Sequence, residues 1–151
     1  MQYRLIDHGT QAYQESLDLR HQLLRVPLGM DLFDGSYDDL SEEDRYYHFG
    51  AFDDSGKLVA SVLGIPTSIE EVRIKQMAVV KDQQMQGVGK RLLMIFEAYL
   101  LNLGFQSFVL HSRRVAHGFY LNLGFAIMGD EFEEVGIPHY KMSKNFKPSQ
   151  D

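Results

Sequence analysis

The chain has 151 residues, 44% of them apolar and 24% charged, and a formal net charge of −6, which describes one globular domain (1–151) rather than a disordered chain. That charge argues against nonspecific nucleic-acid binding, which wants a basic surface, and it allows a cationic or amine partner without requiring one. With no cysteine, no apolar run near the about 18 residues of a membrane helix and no signal-peptide pattern, the chain lacks disulfides and thiolate metal sites, and the expectation is a soluble cytoplasmic protein.

Gln2 to Ile6 reads as a short edge strand with Tyr3 and Leu5 on one face. Thr10 is a candidate N-cap for a helix through about Arg25, with Tyr13, Leu17 and Leu24 on its apolar stripe and Pro27 and Gly29 as its stop. Met30 to Arg45 is strongly acidic and reads as a solvated loop with one helical turn after Ser41. Tyr46–Phe52 and Lys57–Ile65 are strand-like, and Asp53-Asp54-Ser55-Gly56 between them is a hairpin turn.

After a turn at Pro66–Glu70, Val72 to Val80 is rich in β-branched and apolar residues, as a buried strand should be. Polar Lys81 to Gln84 end it. Gly87 and Gly89 then open a helix through Leu103, whose Leu92, Phe96, Tyr99, Leu100 and Leu103 recur at helical spacing, and Gly104 suits its C′ position. A glycine-flanked helix start offers unpaired N–H donors and a partial positive charge, so it favours an anion such as a phosphate, with Lys90 and Arg91 beside it. The loop is not a Walker A motif, because Gln84 and Arg91 stand where that motif needs Gly and Ser or Thr. Nor is it a dinucleotide fingerprint, because Leu92 replaces the third glycine.

Phe105 to His111 reads as the next strand, parallel to the one before the helix because the crossover is right-handed. A short helix over Val115–Leu123 ends at Gly124. Phe125–Met128 and Ile137–Ser143 are the last strands, with Asp130 to Glu134 as an acidic connection and a frayed tail from Asn145.

Two stretches carry a family resemblance. Gln84-Met85-Gln86-Gly87-Val88-Gly89 fits the pattern Gln/Arg-x-x-Gly-x-Gly/Ala and resembles the acetyl-CoA-binding loop of the GNAT superfamily of N-acetyltransferases. About thirty residues on, Ala116-His117-Gly118-Phe119-Tyr120-Leu121-Asn122-Leu123-Gly124-Phe125 resembles the Ala-x-x-Phe-Tyr-x-x-x-Gly-Phe segment of the same superfamily. The stretches around Pro27-Leu28-Gly29 and Gly136-Ile137-Pro138-His139-Tyr140 look like a group of small bacterial members of unassigned substrate. The resemblance implies a mixed α+β fold: about seven mostly antiparallel strands flanked by helices, with a splayed central parallel pair.

It also implies roles. Met77, Ala78, Val79 and Val80 would pair with the pantetheine arm of acetyl-CoA as a pseudo-strand, and Gln84, Met85, Gln86, Gly87, Val88, Gly89 and Lys90 would cradle the pyrophosphate. The N–H of Val79 would meet the oxyanion and Tyr120 would protonate the leaving sulfur, its phenol of pKa about 10 lying slightly above a thiol at about 8.5. Glu134, His139 and His111 are candidates for the general base, and water is an alternative carrier of the proton. The segment after the first helix would be a lid, and the acceptor a small-molecule amine, less readily a peptide or protein. Homodimers are common in the superfamily, although no feature of this sequence marks an interface.

Each assignment has a plain structural counterpart. Met77–Val80 also reads as sheet core, Tyr120 as a packed aromatic, and Phe119 and Phe125 as core. Arg113 stands where many members carry a cofactor-contacting Asn, a departure from the family's pattern. No metal site is expected, since His111 and His117 are spaced six apart across a strand end. A noncatalytic acyl-CoA-sensing module, or a transferase of larger acyl groups, would use the same fold.

Overall fold

The computed structural model describes residues 1–146. Seven strands form one sheet: β1 (Gln2–Ile6), β2 (Tyr47–Phe52), β3 (Leu58–Pro66), β4 (Glu71–Val79), β5 (Ser107–Arg113), β6 (Ala126–Glu134) and β7 (Ile137–Asn145), in the spatial order β1-β2-β3-β4-β5-β7-β6. All neighbours are antiparallel except β4 and β5. That mixed sheet with one central parallel pair is the architecture expected from the sequence.

Helix α1 (Gln11–Arg20) is capped by Thr10, whose Oγ1 accepts from Tyr13 N–H at 3.2 Å. The α-helix ends earlier than expected, passing into a π-turn over His21–Arg25 and a 3-10 turn over Val26–Leu28. Tyr13 and Leu17 pack with Ile6, Leu32, Phe52 and Leu58 on one face of the sheet. Helix α2 (Val88–Asn102) covers the other face, where Leu92, Leu93, Phe96 and Leu100 meet Phe49, Val72, Ile74 and Phe108. Gly104, at φ 105°, closes α2: Phe105 N–H reaches Leu100 O and Gly104 N–H reaches Leu101 O, a Schellman arrangement. Helix α3 (His117–Asn122) ends the same way at Gly124.

Two expectations about the C-terminal third are corrected. Asp130–Glu134 is not a connection but the second half of β6, and the turn to β7 is only Val135-Gly136. Strand β6 lies at the edge of the sheet with most side chains exposed, so Asp130, Glu131 and Glu133 remain in water. Asn145 belongs to β7, and the Phe146 ring lies edge-on to Phe108 at 5.8 Å; the rest of the expected frayed tail, 147–151, lies outside the described residues.

Candidate active site

The centre of the molecule is a local irregularity in β4. Between Ser61/Ala78 and Leu63/Lys75 the register slips, so β4 carries one residue more than β3. Gln76 sits in this bulge at φ 54°, a conformation costly to a side-chain-bearing residue. Its side chain is clamped at both ends. Arg20 Nε donates to Gln76 Oε1 at 2.6 Å, and Gln76 Nε2 donates to Asp38 Oδ1 at 3.2 Å.

The clamp belongs to a buried polar network. The two terminal nitrogens of Arg20 donate to the Glu43 carboxylate at 2.8 and 2.6 Å, the Tyr13 hydroxyl donates to it at 2.7 Å, and Arg25 holds Asp38 at 2.6 and 2.8 Å. Arg20 is 2% exposed and Glu43 3%. The segment 30–45 has the expected helical turn, at Glu43–Arg45, and keeps Asp31, Asp34, Asp39, Glu42 and Asp44 in water, but it is not solvated throughout. Leu32, Asp38 and Glu43 are packed inward, and the segment is tied to α1 and to the β4 bulge.

Already before the bulge the parallel pair comes apart. Strands β4 and β5 stay in register only from Glu71/Ser107 to Arg73/Val109. Val80 N–H donates to Val59 O at 2.9 Å, which makes Ala60 and Val79 a non-hydrogen-bonded pair. The N–H and C=O of Val79 therefore turn away from β3, toward the side that β5 has left. The Val79 carbonyl is already met there by Gln84 Nε2 at 2.9 Å. Ala78 is buried, and Met77, Val79 and Val80 pack against the core, so their backbone, not their side chains, is what they can offer a ligand.

The glycine loop follows. Gln84, Met85, Gln86 and Gly87 are exposed, with Met85 at φ 65° and Gly87 at φ 80°. Gly87 caps α2 without a side-chain hydrogen bond, and the first turn holds no acidic residue, so the donors at Val88, Gly89 and Lys90 lack a cap. A Cβ at Gly89 would stand 3.3 Å from Val79 Cγ2 and 3.6 Å from the Phe119 ring. Glycine thus lets the helix start approach the opened strand closely.

A cleft of about 300 Å3 lies where the strands part. Its walls come from Arg73–Met77 of β4, Leu110–Arg113 of β5, Tyr120, Glu134 at the end of β6 and Val135 after it, and Arg25 and Tyr37 from the far side. Met77, Tyr120, Glu134, His139 and His111 thus share one cleft, whereas Gln84–Lys90 stand outside it. The pairing of aromatics at positions 119 and 120 is the reverse of that expected: Phe119 is 37% exposed and faces the glycine loop, while Tyr120 packs against the core. Phe125 is buried as expected. Burial pushes the Tyr120 hydroxyl up to about 12.

Glu134 joins the other candidates. Its Oε1 is 3.1 Å from His111 Nδ1 and its Oε2 is 3.6 Å from His139 Nε2. His139 Nδ1 donates to Ile137 O at 2.7 Å, which leaves Nε2 to face Glu134. Arg73, which always carries its protons, donates to His111 Nδ1 at 2.9 Å. The same Nδ1 faces Glu134 Oε1, so it accepts from Arg73 when bare and donates to Glu134 when protonated. Burial and the Arg73 charge hold His111 below its ordinary 6.5, against the pull of Glu134. Burial also works to raise Glu134, but His111, His139 and Arg73 outweigh it and keep the carboxyl below its ordinary 4.5. A proton arriving on His111 Nδ1 would displace Arg73 and bond Glu134 instead, so the cluster is arranged to accept one.

Arg73, Lys75, Gln76, Arg25 and Tyr37 were not singled out from the sequence. Arg73 and Lys75 carried a signal: they alternate with buried Val72 and Ile74, so one face of the strand is polar.

Comparison with known proteins gives concordant results. Residues 34–146 match the model of the acetyltransferase (GNAT) domain. The chain is 32% identical over 137 residues, 82% of its length, to the uncharacterized protein YyaT of Bacillus subtilis, covering 87% of that protein. Among solved structures, Escherichia coli ElaA superposes with TM-score 0.78 at 22% identity, over 96% of this chain and all of that one. An aminoglycoside 6'-N-acetyltransferase complexed with coenzyme A superposes with TM-score 0.75 at 18% identity, over the whole of both chains.

Proposed function

Because the chain belongs to the GNAT acetyltransferase family, we propose that it moves an acetyl group from acetyl-CoA directly to the primary amine of a small molecule. The observation that carries this reading is the parting of β4 from β5 directly before a glycine-flanked, uncapped helix start. A main-chain edge and a phosphate cradle then follow one another along the chain, which is what a long phosphorylated thioester requires. The structurally similar aminoglycoside enzyme, solved with coenzyme A, supports both the donor and the small-amine acceptor.

Acetyl-CoA supplies an acetyl carbon activated as a thioester. Backbone of Met77, Ala78, Val79 and Val80 would hold the pantetheine arm, and the N–H groups from Gln84 to Lys90 the pyrophosphate, with Met85, Gln86 and Val88 contributing main chain only. The Val79 N–H, already turned toward the gap, would stabilise charge developing on the carbonyl oxygen. Glu134, with His111 and His139 behind it, would take the proton that the amine loses as its C–N bond forms. Tyr120 would return a proton to the sulfur as the C–S bond breaks, so one proton is lost and one gained. At a pKa of about 12 Tyr120 keeps its proton at every working pH. Giving it to a thiolate of pKa about 8.5 is uphill by roughly 5 kcal/mol unless the same dry cleft raises the thiolate too.

The test is release of free thiol from acetyl-CoA with a panel of amines. Tyr120→Phe should lower kcat by about 10²- to 10⁴-fold while acetyl-CoA still binds. If acetyl-CoA binds but no amine in a broad panel releases thiol, the protein is an acyl-CoA-sensing module instead. Undiminished turnover in the Phe variant would remove Tyr120 from the mechanism.

A further inference from the structure

The cleft is cationic in an acidic protein. The whole chain carries −6, yet Arg25, Arg73, Lys75 and Arg113 line the cleft against the single carboxylate of Glu134. Asp38 neutralises Arg25 through two hydrogen bonds, and Glu134 lies 3.8 Å from Arg73. Lys75 has no such partner: among the described residues its ammonium makes no hydrogen bond or ion pair, although it is withdrawn enough from water for burial to hold its pKa below 10.5. Arg73 Nε is also buried without a hydrogen-bond partner. Arg73 Nε is thus a buried donor left over and Lys75 a half-buried cation without a counter-charge in contact, and each is a place for a ligand atom. Both stand on the polar face of β4, two residues apart and thus on the same side of the strand.

We propose that the acceptor is an anionic amine, a small molecule carrying a carboxylate a few bonds from its primary amine, with the carboxylate seated on Lys75 and Arg73 and the amine facing Glu134. This rests on the acetyltransferase reading above and narrows it to a substrate class. A polycationic amine would bring further positive charge against four cations that Asp38 and Glu134 only half offset. A neutral hydrophobic amine would leave Arg73 Nε unsatisfied and Lys75 without a counter-charge. An anionic amine satisfies both ends of the cleft at once.

The experiment is equilibrium titration of the protein, saturated with coenzyme A, using matched pairs: 6-aminohexanoate against hexylamine, and phenylalanine against phenethylamine, with spermidine as the polycation. The acid of at least one pair should bind 10-fold or more tighter than its amine and than spermidine. Lys75→Met should reduce that preference to under threefold, and Lys75→Arg, which keeps the charge, should preserve it; circular dichroism checks that both variants fold. Equal or weaker binding of the acids, or an undiminished preference in Lys75→Met, overturns the proposal. Thiol release measured in parallel separates the two readings. Acids that bind but are never acetylated leave the anion site standing and remove the acetyltransferase reading. Amines and spermidine acetylated in preference to the acids do the opposite.

Discussion

The buried pair of Arg20 and Glu43 makes a sharp prediction. Replacing Arg20 by Met removes the donors at 2.8 and 2.6 Å from Glu43 and the one at 2.6 Å from Gln76. Glu43, 3% exposed, keeps only the Tyr13 hydroxyl at 2.7 Å among its side-chain partners. Leaving a buried charge without its partner costs about 3–5 kcal/mol, and because one hydrogen bond survives, the lower end applies, about 3 kcal/mol. At roughly 2–4 °C per kcal/mol for a domain of this size, the melting temperature should fall by about 6–12 °C. Arg20→Met combined with Glu43→Leu removes the stranded charge and should recover most of the loss, giving a coupling of about 2 kcal/mol in a urea-denaturation cycle. The pH dependence has a definite sign. Burial works to raise Glu43, but hydrogen bonds and charge from Arg20, with the Tyr13 hydroxyl, hold its folded pKa below 4.5. Its contribution is therefore complete above about 4.5 and is lost as pH falls through the folded value. In Arg20→Met the carboxyl is buried without its cation and its pKa rises, so the variant should lose stability as pH rises from 4.5 toward 7. A single-variant cost under about 1 kcal/mol, or additive effects in the cycle, would refute this account of the network.

Val135 offers a test in the other direction: it holds φ 49° in the two-residue β6–β7 turn, where Asn is comfortable, so Val135→Asn should stabilise by about 1 kcal/mol, or roughly 2–4 °C. An unchanged or lower melting temperature would show that the turn is not strained. Glu134→Gln keeps the shape of the cleft but removes the carboxylate that meets His111, His139 and Arg73. It should cut kcat/KM for amine acetylation by about 10²-fold or more without changing acetyl-CoA affinity; a loss under threefold would assign the proton to water or to His111 alone.

What the sequence disclosed, and what it hid, divides by range. The glycine turns at 87, 104 and 124, the Thr10 cap and the Asp53 hairpin are local chemistry, and each stands where its residues put it. The parallel pair followed from the crossover rule, whereas the insertion of β7 between β5 and β6 did not. The clamp on Gln76 was not legible, because it joins residues 56 and 38 positions apart in the chain, and acidic Asp38 and Glu43 look like any solvated carboxylates until Arg25 and Arg20 fold onto them. Helix α3 is six residues long, too short for its periodicity to decide whether Phe119 or Tyr120 turns inward. Edge position explains β6: an exposed strand does not need the apolar residues by which a strand is recognised.

The central claim is that the glycine loop and the opened strand hold acetyl-CoA, and the most direct measurement is the melting temperature with and without it. At 100 times its dissociation constant acetyl-CoA should stabilise the fold by about 2.7 kcal/mol, roughly 5–11 °C. Free coenzyme A should act similarly. Gly89→Val, whose Cβ would stand 3.3 Å from Val79 Cγ2 in the path between helix start and strand, should abolish both shifts. No shift in the wild-type protein at millimolar ligand, or an equal shift in Gly89→Val, would contradict the account.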